Sequence, residues 1–327
     1  MKRITVKGML EVMKCSLQGF MDDKVLKLSA SLAYYTVFSL APLLIVLLFV
    51  CGQIFGREAI EGSVYGQIEG FVGAQSALQL QEIVKNASIS DKSNVAAIIG
   101  IITLLIGATT VFAEIQDSIN SIWGLKTKPG KSLVQFIKTR IASFGVIGSL
   151  GFLLLVSLGV TALVEALSKQ LKNQFPDVTV VVFYIINILI TFIVTTSLFA
   201  VIFKVLPDAK IKLRDVLAGA IATTLLFMLG KFGISFYISK SEVGTTYGAA
   251  GSLVVLLVWI YYSSVILYFG AEFTKAYAVK FGAPIHPNKY TVTTRMVEVE
   301  EGKVSVQHSV EKEKKEQAKA DVKNEKQ

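Results

Sequence analysis

Long stretches of this chain contain no Asp, Glu, Lys or Arg. They run over Leu28–Gly56 (29 residues), Ser93–Ala113 (21), Ile141–Val164 (24), Val178–Phe203 (26) and Val243–Ala271 (29). A sixth, Val216–Gly230 (15), is interrupted by Lys231 and resumes through Phe232–Ser239. About 20 apolar residues suffice to cross a ~30 Å hydrocarbon layer as a helix. Five runs meet that length outright, and the sixth meets it if Lys231 is accommodated. The pattern predicts an all-α, polytopic membrane bundle of six spans, near residues 31–53, 94–114, 141–164, 178–203, 214–238 and 247–272.

The flanking segments carry weaker periodicities. Val6, Met9, Leu10, Met13, Leu17, Phe20, Met21 and Leu28 fall on one helical stripe, with Lys7, Lys14, Asp22, Asp23 and Lys24 largely elsewhere. This predicts an N-terminal helix over 1–28, lying in the membrane interface or packed on the bundle. Between the first two spans, Ile60, Val64, Ile68 and Phe71, then Leu78, Leu80, Ile83 and Val84, predict two short helices on the outer face within 57–92. Beyond Pro284 and Pro287 the composition turns charged, and 281–327 reads as a mostly disordered tail with a marginal hairpin around Val297–Val306.

Composition agrees with the pattern. The 327 residues are 53% hydrophobic and 17% charged, against about 25% charged in a soluble domain. A soluble enzyme, a disulfide scaffold and a disordered chain are excluded. Lysine and arginine orient the spans: alternate segments carry 26 on one side and six on the other. Both termini are therefore expected in the cytoplasm. The net charge of +9 needs no nucleic acid. It sits mainly at cytoplasmic helix ends, where anionic lipid headgroups are the expected partner. Self-association is left open. Cys15 and Cys51 are expected near opposite faces, so they cannot pair.

Once the spans are laid out, a family resemblance is visible. Ser31-Leu32-Ala33-Tyr34-Tyr35-Thr36-Val37-Phe38-Ser39-Leu40-Ala41-Pro42 resembles the first-span motif of the YihY/BrkB family. Asn120-Ser121-Ile122-Trp123-Gly124 resembles its Asn-x-x-Trp-Gly element. Leu206-Pro207-Asp208 with Asp215-Val216-Leu217-Ala218-Gly219-Ala220 resembles the link into its fifth span. Tyr247-Gly248, Leu257-Val258-Trp259-Ile260-Tyr261 and Gly270-Ala271-Glu272 resemble its last. The motifs stand in order from about residue 10 to 280; Ala41 before Pro42 is smaller than the motif leads one to expect. The resemblance implies a six-span protein of the bacterial inner membrane, with transport or export suggested, in a family some of whose members were once labelled ribonucleases.

The sequence speaks against that label. A metal-dependent nuclease needs clustered His and Asp to hold metals and activate water. The only histidines are His286 and His308, at or beyond the last span, and no Gly-x-x-x-x-Gly-Lys-Ser/Thr loop occurs. No cofactor, metal or catalytic residue is expected.

What remains is polar chemistry at membrane depth, which is costly there and often marks a pathway. Trp259 lies about 18 Å inward from Ala271 at ~1.5 Å per residue. Ser252, Val255, Trp259, Tyr262, Ser263, Ile266 and Gly270 share a face, which either lines a solute route or packs against a neighbour. Lys231 either snorkels outward or lines the same route. Asn187, near Tyr184, lines it or bonds to another helix. Tyr34, Tyr35 and Pro42 lie in the first span, where a proline frees a carbonyl and permits a hinge. Glu114, Asp117, Asn120 and Glu272 are expected together near cytoplasmic helix ends. They either couple transport to protons or cations, or pair with Lys126, Arg140 or Lys275. The leading function is transport or export of a small solute; the alternative is a scaffold that organises lipids or partners.

Overall fold

The structure, a computed structural model, describes residues 5–39, 107, 110–127, 176–240, 251–288 and 291–293. Pro42, the expected outer helices, the third expected span and the tail beyond Thr293 lie outside the described residues, as does the side chain of Ser252. Eight elements precede the last two strands. They are α1 (Val6–Asp22), α2 (25–39), α3 (110–122), β1 (Leu125–Thr127), α4 (Pro176–Val205), β2 (Ala209–Lys210), α5 (Leu213–Lys240) and α6 (Gly251–Phe281); β3 (His286–Pro287) and β4 (Thr291–Thr293) follow.

Among the described residues three helices are long and apolar enough to cross a membrane: Val181–Val205, Leu213–Ile234 and Leu253–Phe281, with 25, 22 and 29 residues. Apolar residues surround these helices instead of forming one stripe. That is the arrangement for a helix with lipid on one side and protein on the other. At one end of the bundle α4 finishes, α5 begins and α6 finishes. This polar end also holds the two strand pairs, β1 with β4 and β2 with β3, both antiparallel. The all-α expectation lacked these strands, and the segment expected to open a disordered tail contributes two of them. Strands this short are satisfied chiefly by their partner's backbone, so the signal lies in the fold.

α1 begins at Thr5, whose hydroxyl accepts the Gly8 N–H at 3.1 Å. Such a cap satisfies one of the unpaired donors at a helix start. The helix buries Gly8, Val12 and Ser16, and its contact with α6 is a cluster of Val12, Phe273, Tyr277 and Phe281. Gly8 is required there, because a methyl would lie 2.5 Å from the Phe281 ring. Val6, Leu10, Leu17 and Met21 are exposed. The helix expected over 1–28 stops at Asp22, and Lys24 takes a left-handed φ of 52° before α2 begins. Lys280 of α6 pairs with Glu11 of α1 and holds its carboxyl below the usual range. The contribution of that contact is present above pH 4.5 and is lost as pH falls through the lowered value.

The closest packing is between α5 and α6, which run antiparallel. A methyl on Gly219 would lie 1.8 Å from Thr274 Oγ1, and one on Gly270 would lie 2.0 Å from Thr223 Oγ1. Each glycine thus receives the threonine of the opposite helix. Each threonine hydroxyl donates back along its own helix, Thr223 to Gly219 O and Thr274 to Gly270 O, both at 2.7 Å. Further along, Gly230 faces the Tyr262 hydroxyl at 1.5 Å from where its Cβ would stand. Small residues and hydroxyls that let backbones approach are the usual means of joining helices in lipid. α4 joins α5 through a Thr196–Thr224 hydroxyl bond of 3.1 Å.

Gly219→Ala is expected to destabilise by about 1–3 kcal/mol through overpacking, and adding Thr274→Gly is expected to restore part of the loss. Unfolding in mixed sodium dodecyl sulfate micelles measures both; a double variant weaker than Gly219→Ala alone would contradict the seam.

Candidate functional site

The structure describes most of the residues that the sequence singled out, Pro42 and the Ser252 side chain excepted. The α6 face is turned toward α5. Trp259, 8% exposed, stands edge-on to Phe227 with ring centroids 6.3 Å apart. The Tyr262 hydroxyl reaches to 3.5 Å from Leu226 O. Ser263 donates to Trp259 O at 2.9 Å, within its own helix. Ser263 is thus bonded within its own helix, while Trp259 and Tyr262 pack against α5. Asn187 is on the exposed surface of α4 and Lys231 is half-buried in α5. Tyr34 and Tyr35 are exposed on α2, their rings T-shaped at 5.7 Å.

The group at the polar end resolves into two arrays. In the first, Asn120 of α3 and Asp208 of the α4–β2 link clasp each other: the Asp208 N–H donates to Asn120 Oδ1 at 2.9 Å, and Asn120 Nδ2 donates to Asp208 Oδ2 at 3.0 Å. Gln116 Nε2 adds a third donor at 3.1 Å. An amide can serve as donor and acceptor at once, which explains asparagine at this position. Beside it, Trp123 Nε1 donates to Ala271 O at 3.1 Å and fixes α3 to α6.

The second array centres on Glu272, which is only 2% exposed within a membrane-length helix. Its Oε2 lies 3.5 Å from Lys275 Nζ, one helical turn on. Lys275 also contacts Asp23 Oδ2, at the end of α1, at 3.2 Å, and it donates to the Ile122 carbonyl at the end of α3. One ammonium with three donors thus joins three elements. Gly19 of α1 makes the approach possible, since a methyl there would lie 2.5 Å from Glu272 Oε2. Glu272 Oε1, by contrast, is buried with no hydrogen-bond partner among the described residues, and the buried Tyr268 hydroxyl one turn earlier has none in proper geometry. An unsatisfied buried carboxylate oxygen is expensive, and it is free to accept a proton or cation.

Glu114 and Asp117 border this region on α3. The Asp117 carboxyl is held above the ordinary range, first by partial desolvation and then by the negative charges of Glu114 and Asp208. Among the described residues no three His, Cys, Asp or Glu come together as a metal site. The sequence named Glu272, Asn120 and Lys275 but did not foresee Asp23, Gly19 or Tyr268. Asp23 lies 252 positions from Lys275, and only the Glu-x-x-Lys spacing of 272 and 275 gave a local signal.

A family model described as virulence factor BrkB matches residues 16–291. A protein of Pseudoalteromonas atlantica named UPF0761 membrane protein is 27% identical over 260 residues, 79% of this chain and 83% of its own. An Aggregatibacter aphrophilus protein of the same designation is 26% identical over 78% of this chain and 87% of its own. A Bacillus subtilis protein named ribonuclease-like is 27% identical over 75% and 86%. No solved structure matches the chain.

Lys275→Ala is expected to cost about 1–3 kcal/mol, because it strands two carboxylates and a carbonyl. Glu272→Gln on that background is expected to recover most of the loss in the same unfolding assay; no recovery would mean that Lys275 acts only through Asp23 and Ile122. Asp117 supplies a pH test. Its raised value means that the folded state binds the proton more tightly than the unfolded chain, so its ionisation costs stability as pH rises above 3.8. Asp117→Asn is therefore expected to stabilise at pH 7, with the gain fading as the pH falls through the raised value and gone below 3.8; a gain independent of pH would assign it to packing.

Proposed function

Because the chain belongs to the virulence factor BrkB family, we propose that it moves a small solute across a bacterial plasma membrane, as a six-span bundle with both termini in the cytoplasm. The observation that supports this reading best is Glu272, a buried carboxylate in a membrane-length helix with one oxygen unpartnered among the described residues. Ionisable groups at such depth carry a cost and recur where ions or substrates pass. Here the carboxylate adjoins Asp23 and Lys275, which belong to the junction of α1, α3 and α6. Protonating Asp23 weakens its pairing with Lys275 and loosens α1 from α6, whereas protonating Glu272, on the same helix as Lys275, removes a negative charge beside Asp23 and leaves the ammonium to Asp23 and Ile122. A proton arriving at that point therefore changes a contact between helices, as coupled transport requires.

A scaffold is the second reading, and the close packing of Trp259 and Tyr262 against α5 favours it. Catalysis has less behind it: the relatives are named as membrane proteins, one as ribonuclease-like, while this chain has two histidines and no metal-binding cluster among the described residues.

Flux in proteoliposomes of the full chain distinguishes the readings. With a panel of polyols, amino acids and cations, and an imposed pH gradient, uptake above empty liposomes is expected. It should be lost in Glu272→Gln, provided that this variant keeps its elution profile. Wild-type liposomes silent toward every solute, with or without the gradient, would favour the scaffold, and flux untouched by Glu272→Gln would move the coupling site elsewhere.

A further inference from the structure

A surface depression of about 390 Å³ opens at the polar end, lined by Lys210, Ile211, Lys212, Ala283, Pro284 and His286. Its volume lies within the ~300–1,000 Å³ of small-molecule sites. The local chain geometry explains its character. Extended backbone alternates its side chains, so Lys210 and Lys212 are exposed while Ile211 between them is buried. Strand pairing sets His286 directly opposite Lys210. The ammonium of Lys204 donates to the Ile211 carbonyl, and the Asn288 N–H donates to Asp208 O at 3.0 Å, so both walls are tied down.

The nearest acids are already engaged. Asp215 is buried and accepts the Ala283 N–H at 3.1 Å, in a space that Gly282 leaves open. Asp208 is taken by Gln116 and Asn120. Two exposed lysines and a histidine thus face outward over an apolar floor. The position is equally telling, since α5 starts its membrane-length segment at Leu213 and α6 ends its own at Phe281. Leu213, Leu217, Ile221 and Leu225, one turn apart along α5, are all exposed.

We propose that this depression binds the phosphate headgroup of an anionic phospholipid, with an acyl chain laid along the Leu213–Leu225 row of α5. The lysines match the headgroup charge, and the apolar row, which a free phosphate ion could not use, commits the site to lipid. The inference does not depend on transport: a scaffold would bind the same lipid.

The test is native mass spectrometry of delipidated, detergent-purified full chain, titrated with phosphatidylglycerol or phosphatidylcholine. Each lysine near an anionic surface contributes on the order of fivefold, so the preference for phosphatidylglycerol is expected to be roughly twentyfold. It should be lost in Lys210→Gln/Lys212→Gln and kept in Lys7→Gln/Lys14→Gln, a pair on α1 that removes equal charge elsewhere. Lys210→Arg/Lys212→Arg should retain it, which separates lost charge from lost folding. Equal retention of both lipids by the wild type, or equal loss in the two glutamine pairs, would overturn the site. Displacement of phosphatidylglycerol by millimolar inorganic phosphate would show an anion site without lipid specificity and would equally overturn the proposal.

Discussion

The close antiparallel approach of α5 and α6 is the constraint from which the rest of the described structure follows. Gly219 against Thr274 and Gly270 against Thr223 fix both the distance and the register of the two helices. That register carries the end of α6 past the start of α5, where Asp215 captures the backbone of Ala283. From there the chain has nowhere to run except alongside the α4–α5 link, and β2 pairs with β3. The same rotation that turns Gly270 toward α5 leaves Glu272 on another side, facing Gly19 of α1. In a lipid environment the hydrophobic effect does not draw helices together, so fit and hydroxyl bonding must do it.

The polar end handles buried charge in two contrasting ways. Around Asp208 donors are plentiful: an asparagine and a glutamine amide both donate to its carboxylate, and its own N–H returns to the asparagine, closing the pair. Around Glu272 the supply falls short. A single ammonium is divided among two carboxylates and a carbonyl, and one carboxylate oxygen has no partner among the described residues. A closed set adds rigidity, whereas an open one is sensitive to protons and ions. The two lie on either side of α3, whose Trp123 joins them mechanically through Ala271.

Much of this was legible in the sequence, at a particular level. Charge-free runs located α4, α5 and α6 because length and hydropathy are properties of each segment alone. The α6 face containing Trp259, Tyr262 and Gly270 was also legible as a face, since periodicity requires only one helix. What it meets was not: Gly219 and Gly230 are two of 25 glycines, and nothing local distinguishes those that admit a threonine or a tyrosine. Asp23 as a partner of Lys275 was hidden for the same reason. The apolar row on α1 was legible, but Gly8, Val12 and Ser16 face α6 while Val6, Leu10 and Leu17 are exposed. Amphipathicity does not say which face meets protein when lipid takes the other.

The Lys275–Asp23 contact has a bearing on biogenesis. The first partner leaves the ribosome 252 residues before the second. At about 5–20 residues per second, α1 waits on the order of ten to fifty seconds with its α6-facing surface of Gly8, Val12 and Ser16 uncovered. Its row of Val6, Leu10, Leu17 and Met21 stays exposed even after docking. Docking on α6 is therefore among the last events of assembly, and a chain truncated before α6 would leave α1 without the surface that covers Val12.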